Sequence, residues 1–267
     1  MKSRCPTCDR IKRRCLCQFA PNEKIDNLFQ VILIQTDSER DHPKNSAIFL
    51  YLGLNHLHKK VIKLPSHHIN QPFHDSELTQ SIRYLSLLEA PILLYPCTDQ
   101  LQPPSIHDHS STLDFPPQNT LSTLLGCVDE TSPHPHLSKS LPTLIILDMT
   151  WGHSQRLIAL SSTLKSLPRF TLTYNMITIV KDQQAKYLDR SHTDYKNLRN
   201  GKRKREELNS FEATLITLII WESYPHGLTD STYCKAFEKY QNLWIAYESW
   251  LTETLSRHLP KFQVRSP

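Results

Sequence analysis

Short hydrocarbon runs that stop at polar residues, each followed by a segment of helical period, recur along this chain and constrain its fold more than any other feature. "LFQVILIQTD" at 28–37 reads as a buried strand ending in polar residues, and "NSAIFLYLGLNHL" at 45–57 as a helix with one apolar face. "HKKVIKLP" at 58–65 is a second strand, "SELTQSIRYLSLLE" at 76–89 a second helix, and "APILLYPC" at 90–97 a further short apolar run stopped by proline. The strand "TLIIL" at 143–147 is followed by a helix over about 150–165 and by "RFTLTYN" at 169–175 as another strand. Strands of continuous hydrocarbon alternating with helices indicate an α/β fold built on a parallel sheet.

Two segments break this rhythm. Residues 1–20 are rich in Cys and Arg, carry almost no hydrophobic period and make no core of their own, so they form a small N-terminal unit ahead of a main domain over 21–267. Residues 97–142 hold prolines at 103, 104, 116, 117, 133, 135 and 142 among many Ser, His and Asp, the signature of a long loop or insertion. Beyond a basic, polar region at 181–208, "NSFEATLITLIIWES" is apolar all round and reads as a buried helix. "CKAFEKYQNLWIAYESWLTETLSRHL" is an amphipathic helix docked on the body, its aromatic stripe serving packing.

With 267 residues and 39% apolar residues, the chain can bury a substantial core. Its five Gly include no G-x-G-x-x-G or G-x-x-x-x-G-K-[ST] string, which excludes the usual nucleotide loops. No apolar segment at the N-terminus resembles a signal, and runs such as "LITLIIW" fall far short of the about 20 residues that span a bilayer, so a cytoplasmic protein with no membrane association is expected. In that reducing compartment seven cysteines point to metal or free thiols. The net charge of +5 is modest, but "RIKRRC" at 10–15 and "RNGKRKR" at 199–205 concentrate it. Such clusters suit a polyanion, since each neutralised phosphate releases counterions; a solvated surface face is the plainer account.

Four constellations carry chemistry. Cys5-x2-Cys8-x6-Cys15-x-Cys17 supplies four thiols within thirteen residues, a complete tetrahedral set for a structural Zn²⁺. In "TLIILDMTWGHSQRL", Asp148 lies where a strand runs out, the place where open α/β sheets bind ligands. Thr150 can cap the following helix, and Trp151 shares a face with Gln155; a capping Asp and a core Trp would be the bland reading. "HPKNSAIFL" at 42–50 offers turn chemistry and amide donors at a helix start, suited to a carboxylate or ribose. "YKNLR" at 195–199 precedes "NSFEATL", where Ser210 and Glu212 open the buried helix and suggest either a site or a cap.

Taken in order, the Cys knuckle, the Asn-Ser helix start, "LDMTW" and the late "SFEA" helix resemble the DTW-domain family, named for the Asp-x-Thr-Trp motif carried here by Asp148, Thr150 and Trp151. The resemblance runs from Cys5 to about residue 222. It implies a SPOUT-like fold, for which a strand pattern cannot reveal the trefoil knot. It also implies a tRNA-uridine aminocarboxypropyltransferase, which moves the 3-amino-3-carboxypropyl group of S-adenosylmethionine to uridine N3 and releases methylthioadenosine. Carried over residue by residue, Asp148 is the central acid, either binding the donor's ammonium or taking the N3 proton, and Glu212 is the second catalytic carboxylate. Asn45, Ser46, Pro96, Thr150, Trp151 and Arg199 are cofactor contacts, with Trp151 beneath the site and Arg199 alternatively on a tRNA phosphate. Arg10, Lys12, Arg13 and Arg14 with Lys202, Arg203, Lys204 and Arg205 face the tRNA. Asn-Thr is common in the family where Asn45-Ser46 stands, the proline-rich segment is longer than typical, and Met149 fills the variable motif position. A SPOUT-like RNA methyltransferase and a non-catalytic RNA-binding zinc protein are the rival classes, and monomer and homodimer are both open.

Overall fold

A computed structural model describes residues 3–64, 91–95, 143–187, 208–227 and 229–258. Its centre is a five-stranded sheet in the order β2-β1-β4-β3-β5, with every pairing parallel: β1 (Val31–Thr36), β2 (Leu57–Ile62), β3 (Pro91–Leu94), β4 (Thr143–Asp148) and β5 (Arg169–Phe170). The two most hydrocarbon-rich runs, "VILI" and "TLIIL", are the inner strands β1 and β4, and all six residues of β1 are buried. Burial on both faces is the physical reason these runs do not alternate with polar residues.

Alternation instead separates two cores. Val31, Leu33, Ile92, Leu144 and Ile146 face α2 (Ile48–Gly53), α5 (Tyr174–Tyr187), α6 (Ser210–Ser223) and α7 (Asp230–His258). Ile32, Ile34, Leu93 and Ile145 face the other way, under Leu157 and Ile158 of α3 (Trp151–Leu160) and Leu164 of α4 (Ser162–Ser166). The expected burial of "NSFEATLITLIIWES" holds: α6 lies against α7, α5, α2 and β4, and eleven of its fourteen residues are buried. Phe49 of α2 meets Phe211, Tyr247 and Trp250 at centroid distances of 6.1, 5.9 and 5.4 Å, so the aromatic stripe of α7 is packing as expected. No described helix is long and apolar enough to cross a membrane.

Several boundaries differ from the sequence expectation, each for a local reason. The helix expected over 150–165 is two helices, because Ser161 leaves the first in an extended conformation and its Oγ accepts from Leu164 N, starting the second. "RFTLTYN" pairs over only two residues. Thr171 turns its hydroxyl onto the Tyr95 carbonyl, and Thr173 Oγ1 accepts from Met176 N to start α5, which also takes up 181–187 of the expected polar region. A short helix α1 (Asp37–Arg40) follows β1 unanticipated, although Thr36-Asp37-Ser38-Glu39 carries the S/T-x-x-E capping pattern and Thr36 Oγ1 accepts from Glu39 N. The helix expected over 76–89 and the proline-rich segment 97–142 lie outside the described residues.

Candidate active site and metal knuckle

The connection from β1 leads to β2 on one side of the sheet, whereas that from β4 leads past β3 to β5 on the other. The two connections therefore diverge beyond the paired carboxyl ends of β1 and β4, and the crevice this leaves is the topological switch point where open α/β sheets bind ligands. Asp148 closes β4 there, 7% exposed, and Gln35 is its register partner on β1. Asp148 Oδ2 accepts from Gln35 Nε2 at 2.6 Å and from Asn45 Nδ2 at 2.7 Å, while Oδ1 takes none of the described hydrogen bonds. A buried carboxylate fixed through one oxygen presents the other to the crevice.

Asn45 itself is saturated: Nδ2 also donates to the Glu39 carbonyl at 2.9 Å, and Oδ1 accepts from Ile48 N at 3.1 Å. It orients Asp148 and starts α2 at once, a different use from the free ligand contact expected of it. Ser46 beside it is buried, with its hydroxyl in none of the described hydrogen bonds. The Glu39 carboxyl, half-buried beside this group, is raised above the ordinary carboxylate range by burial and then by the charge of Asp148, against which His42 and His153 act.

The helix that follows Asp148 has a bare amino end. Thr150 occupies the N-cap position, but contrary to expectation its side chain makes no capping hydrogen bond. Among the described residues, a Cβ added at Gly152 would meet nothing within 4 Å, and buried His153 Nδ1 has no hydrogen-bond partner. Unfilled backbone donors at such an end, with room beside them, suit an anionic group. Trp151 corrects the core reading: it is 45% exposed and stacks on Tyr95, the residue after β3, at 5.0 Å and 10°. Arg169 sits 5.5 Å from the same tyrosine ring.

Glu212 is fully buried, and its carboxylate accepts from Asn209 N at 3.0 Å while Asn209 Oδ1 accepts from Glu212 N at 2.9 Å, a reciprocal capping box. The capping alternative is thus the one seen, with Asn209 rather than Ser210 as the cap. Pro96, Arg199, Lys202, Arg203, Lys204 and Arg205 lie outside the described residues. Gln35, Glu39, Tyr95 and His153 were not anticipated. Gln35 was legible as a polar residue at the end of the central strand and Glu39 from its capping pattern, whereas Tyr95 and His153 are recruited by packing alone.

The four N-terminal thiols do converge. The Sγ atoms of Cys5, Cys8, Cys15 and Cys17 all lie within 4.8 Å of one another, with Cys5 at 3.5 Å from Cys15 and 3.7 Å from Cys17, and Cys8 at 3.8 Å from Cys15. A tetrahedron of thiolates about 2.3 Å from a Zn²⁺ has edges of about 3.8 Å. The turn between the first pair is closed by Cys5 N to Arg10 O at 2.7 Å and Asp9 N to Cys5 O at 2.9 Å, with Asp9 in the left-handed region at φ 56°. Backbone N–H groups of Cys8 and Thr7 bring the Cys5 thiol down to about 6, while burial and the neighbouring sulfurs push Cys17 far up. Thiols that oppose one another's ionisation are the donor set a cation stabilises, so the cluster fits a metal such as zinc. The knuckle is no separate body: Cys8 and Leu16 belong to the main core.

The knuckle's arginines turn inward, which corrects the expectation that Arg10 faces tRNA. Arg10 is 1% exposed and its Nη2 donates to the carbonyls of His42 at 2.8 Å and Pro43 at 3.4 Å. Arg14 Nη1 donates to the Asp41 carbonyl at 2.9 Å, so it too is engaged within the protein. Arg4 reaches both Asp41 carboxylate oxygens, at 3.1 and 2.7 Å. Burial pushes the Asp41 carboxyl up, but the hydrogen bonds and charge of Arg4, then Arg40 and Arg10, carry it below its ordinary value. Only Lys12 and Arg13 of the first basic cluster are exposed.

A family model for the DTW domain matches residues 2–255. No curated protein and no solved structure matches the chain. With that match spanning almost its whole length, and with Asp148, Thr150 and Trp151 at the mouth of the β1–β4 crevice, the chain belongs to the DTW-domain family, the family of tRNA-uridine aminocarboxypropyltransferases.

Proposed function

We propose that the protein transfers the 3-amino-3-carboxypropyl group of S-adenosylmethionine to N3 of a uridine in tRNA, within a SPOUT-like catalytic domain over 21–267 that is braced by a structural Zn²⁺ in the Cys knuckle over 1–20. The observation that carries this reading is the Asp148 carboxylate at the switch point, anchored through Oδ2 by Gln35 and Asn45 and open at Oδ1. The all-parallel sheet and the cytoplasmic setting of tRNA are consistent with it. S-adenosylmethionine supplies a sulfonium whose three attached carbons are all electrophilic, so the product depends on which carbon is aligned with the nucleophile.

The chain's task is accordingly to hold the amino-acid tail. Asp148 Oδ1 receives the ammonium, and the bare amino end of α3 receives the carboxylate, the two grips that distinguish this tail from a methyl group. Ser46 lines the same side of the crevice, and Trp151 with Tyr95 walls the other. In the transfer, the N3–Cγ bond forms as the Cγ–S bond breaks, the sulfonium becoming the neutral thioether of methylthioadenosine. The N3 proton needs an acceptor, and Glu39, half-buried close enough to Asp148 to feel its charge, is assigned that role, leaving Asp148 as the ammonium anchor. Glu212 then acts at a distance, by fixing the start of α6. Arg199 and the 202–205 run, with Lys12 and Arg13, are assigned to the tRNA backbone.

Mass spectrometry of nucleosides from unmodified tRNA incubated with protein and S-adenosylmethionine tests the reaction. A uridine heavier by the aminocarboxypropyl group, with an equal amount of methylthioadenosine, is the expected product. A methyl-sized gain with S-adenosylhomocysteine assigns the chain to RNA methylation, and no gain across a full tRNA pool refutes the assignment to tRNA.

A further inference from the structure

The Cys knuckle and the Asp148 group lie on either side of one short loop, residues 41–46, and a single carbonyl joins them. His42 O accepts from Arg10 Nη2 at 2.8 Å and from Asn45 N at 3.1 Å; Asn45 Nδ2 in turn holds Asp148 Oδ2 at 2.7 Å. We propose that Arg10 is a positioning residue through which the metal-loaded knuckle sets the Asn45 loop, and with it the Asp148 carboxylate, in the geometry that binds the donor.

The Arg10 charge must be balanced inside the protein. A guanidinium that is 1% exposed is costly to bury unless a counter-charge and hydrogen-bond acceptors accompany it. Nη2 has carbonyl partners, but Nε and Nη1 are buried with no hydrogen-bond partner among the described residues. Its backbone carbonyl closes the Cys5–Cys8 turn by accepting from Cys5 N at 2.7 Å, and the charges of Cys8 and Cys15 act on its guanidinium. Four thiolates around a divalent cation keep a net negative formal charge and accept N–H···S bonds, the outer-shell partnership metal ligands commonly make. Without the cation nothing holds four thiolates side by side, and that surface is lost. Metal loading therefore stabilises the buried guanidinium, and the guanidinium holds His42. Arg4 to Asp41 and Lys59 to Asp9 are more exposed ion pairs and weaker clamps for it, while Arg14 Nη1 to the Asp41 carbonyl at 2.9 Å holds the start of the same loop.

The test compares full-length wild type, Arg10→Ala and Arg10→Lys by metal content, amide exchange, S-adenosylmethionine calorimetry and tRNA binding. Both variants should retain their metal, because the four ligands are intact. Arg10→Ala should exchange faster at 41–46, bind S-adenosylmethionine about tenfold more weakly or worse, and bind tRNA as wild type does. Arg10→Lys keeps a charge near the thiolates but not the span to His42, and should fall between. Wild type stripped of metal by a chelator should show the same faster exchange at 41–46, reversed on reloading with Zn²⁺, and this arm decides the matter if Arg10→Ala does not fold.

Exchange at 41–46 unchanged by Arg10→Ala or by metal removal overturns the proposal. So does donor affinity within twofold of wild type, or a loss confined to tRNA affinity. The donor-binding arm rests on the proposed function, but exchange and metal content do not. Wild type that binds no S-adenosylmethionine would thus refute the function while leaving the coupling measurable.

Discussion

At the scale of single residues, the crevice is organised by one carboxylate oxygen with two amide donors. Asp148→Asn tests its charge with little disturbance of shape, since the carboxamide oxygen can still accept from Gln35 and Asn45. We expect this variant to keep its thermal midpoint within a few degrees while transfer falls by about 10²–10⁴-fold, read as methylthioadenosine release. Glu39 offers a complementary test through stability. Its carboxyl is raised above the ordinary carboxylate value, first by burial and then by the charge of Asp148, so between the unfolded and folded values the native state keeps a proton that the unfolded chain has lost. The Glu39 contribution is therefore favourable at low pH and is lost as pH rises through the raised value. Glu39→Gln should unfold at a slightly higher temperature than wild type at neutral pH, a small gain because the group is half-exposed, with the difference vanishing at acid pH below the ordinary carboxylate value. A gain that persists at low pH would exclude the charge as its source.

At the scale of elements, the parallel sheet was legible because its strands β1 and β4 are buried on both faces and so do not alternate with polar residues, whereas the strand order was not. Helix ends were less legible, since they depend on which hydroxyl or amide captures a free N–H: Ser161 splits one expected helix, and Thr173 cuts short an expected strand. Glu212 shows the same ambiguity at a candidate site. An acid near the start of a helix carries equal sequence weight as cap or catalyst, and only the reciprocal bonds with Asn209 decide what it does here. Asn209→Ala removes one half of that box and the hydrogen bond to Tyr247 Oη at 2.9 Å. It should cost about 1–2 kcal/mol in chemical denaturation with the denaturant slope unchanged. A much larger loss would mean that Asn209 also supports segments outside α6 and α7.

At the scale of the molecule, the knuckle read from sequence as an appended tRNA contact is built into the body. The spacing of the four thiols announced the metal set, but nothing in "DRIKRRC" distinguishes an arginine that reaches solvent from one that folds back on the 41–43 loop. That depends on a long-range partner, Asp41 or the His42 carbonyl, more than twenty residues away. Because Cys8 and Leu16 pack in the same core as α2, α6 and α7, metal removal should not melt the first twenty residues alone. We expect the chelated protein to unfold in one transition at a midpoint lowered by several degrees, with calorimetric and van't Hoff enthalpies still equal, and to recover on adding Zn²⁺. A separate low-temperature transition, with the main midpoint unmoved, would instead make the knuckle an independent unit. Its arginines would then have no lever on the Asp148 crevice, so the calorimetric trace bears on catalysis as well as on stability.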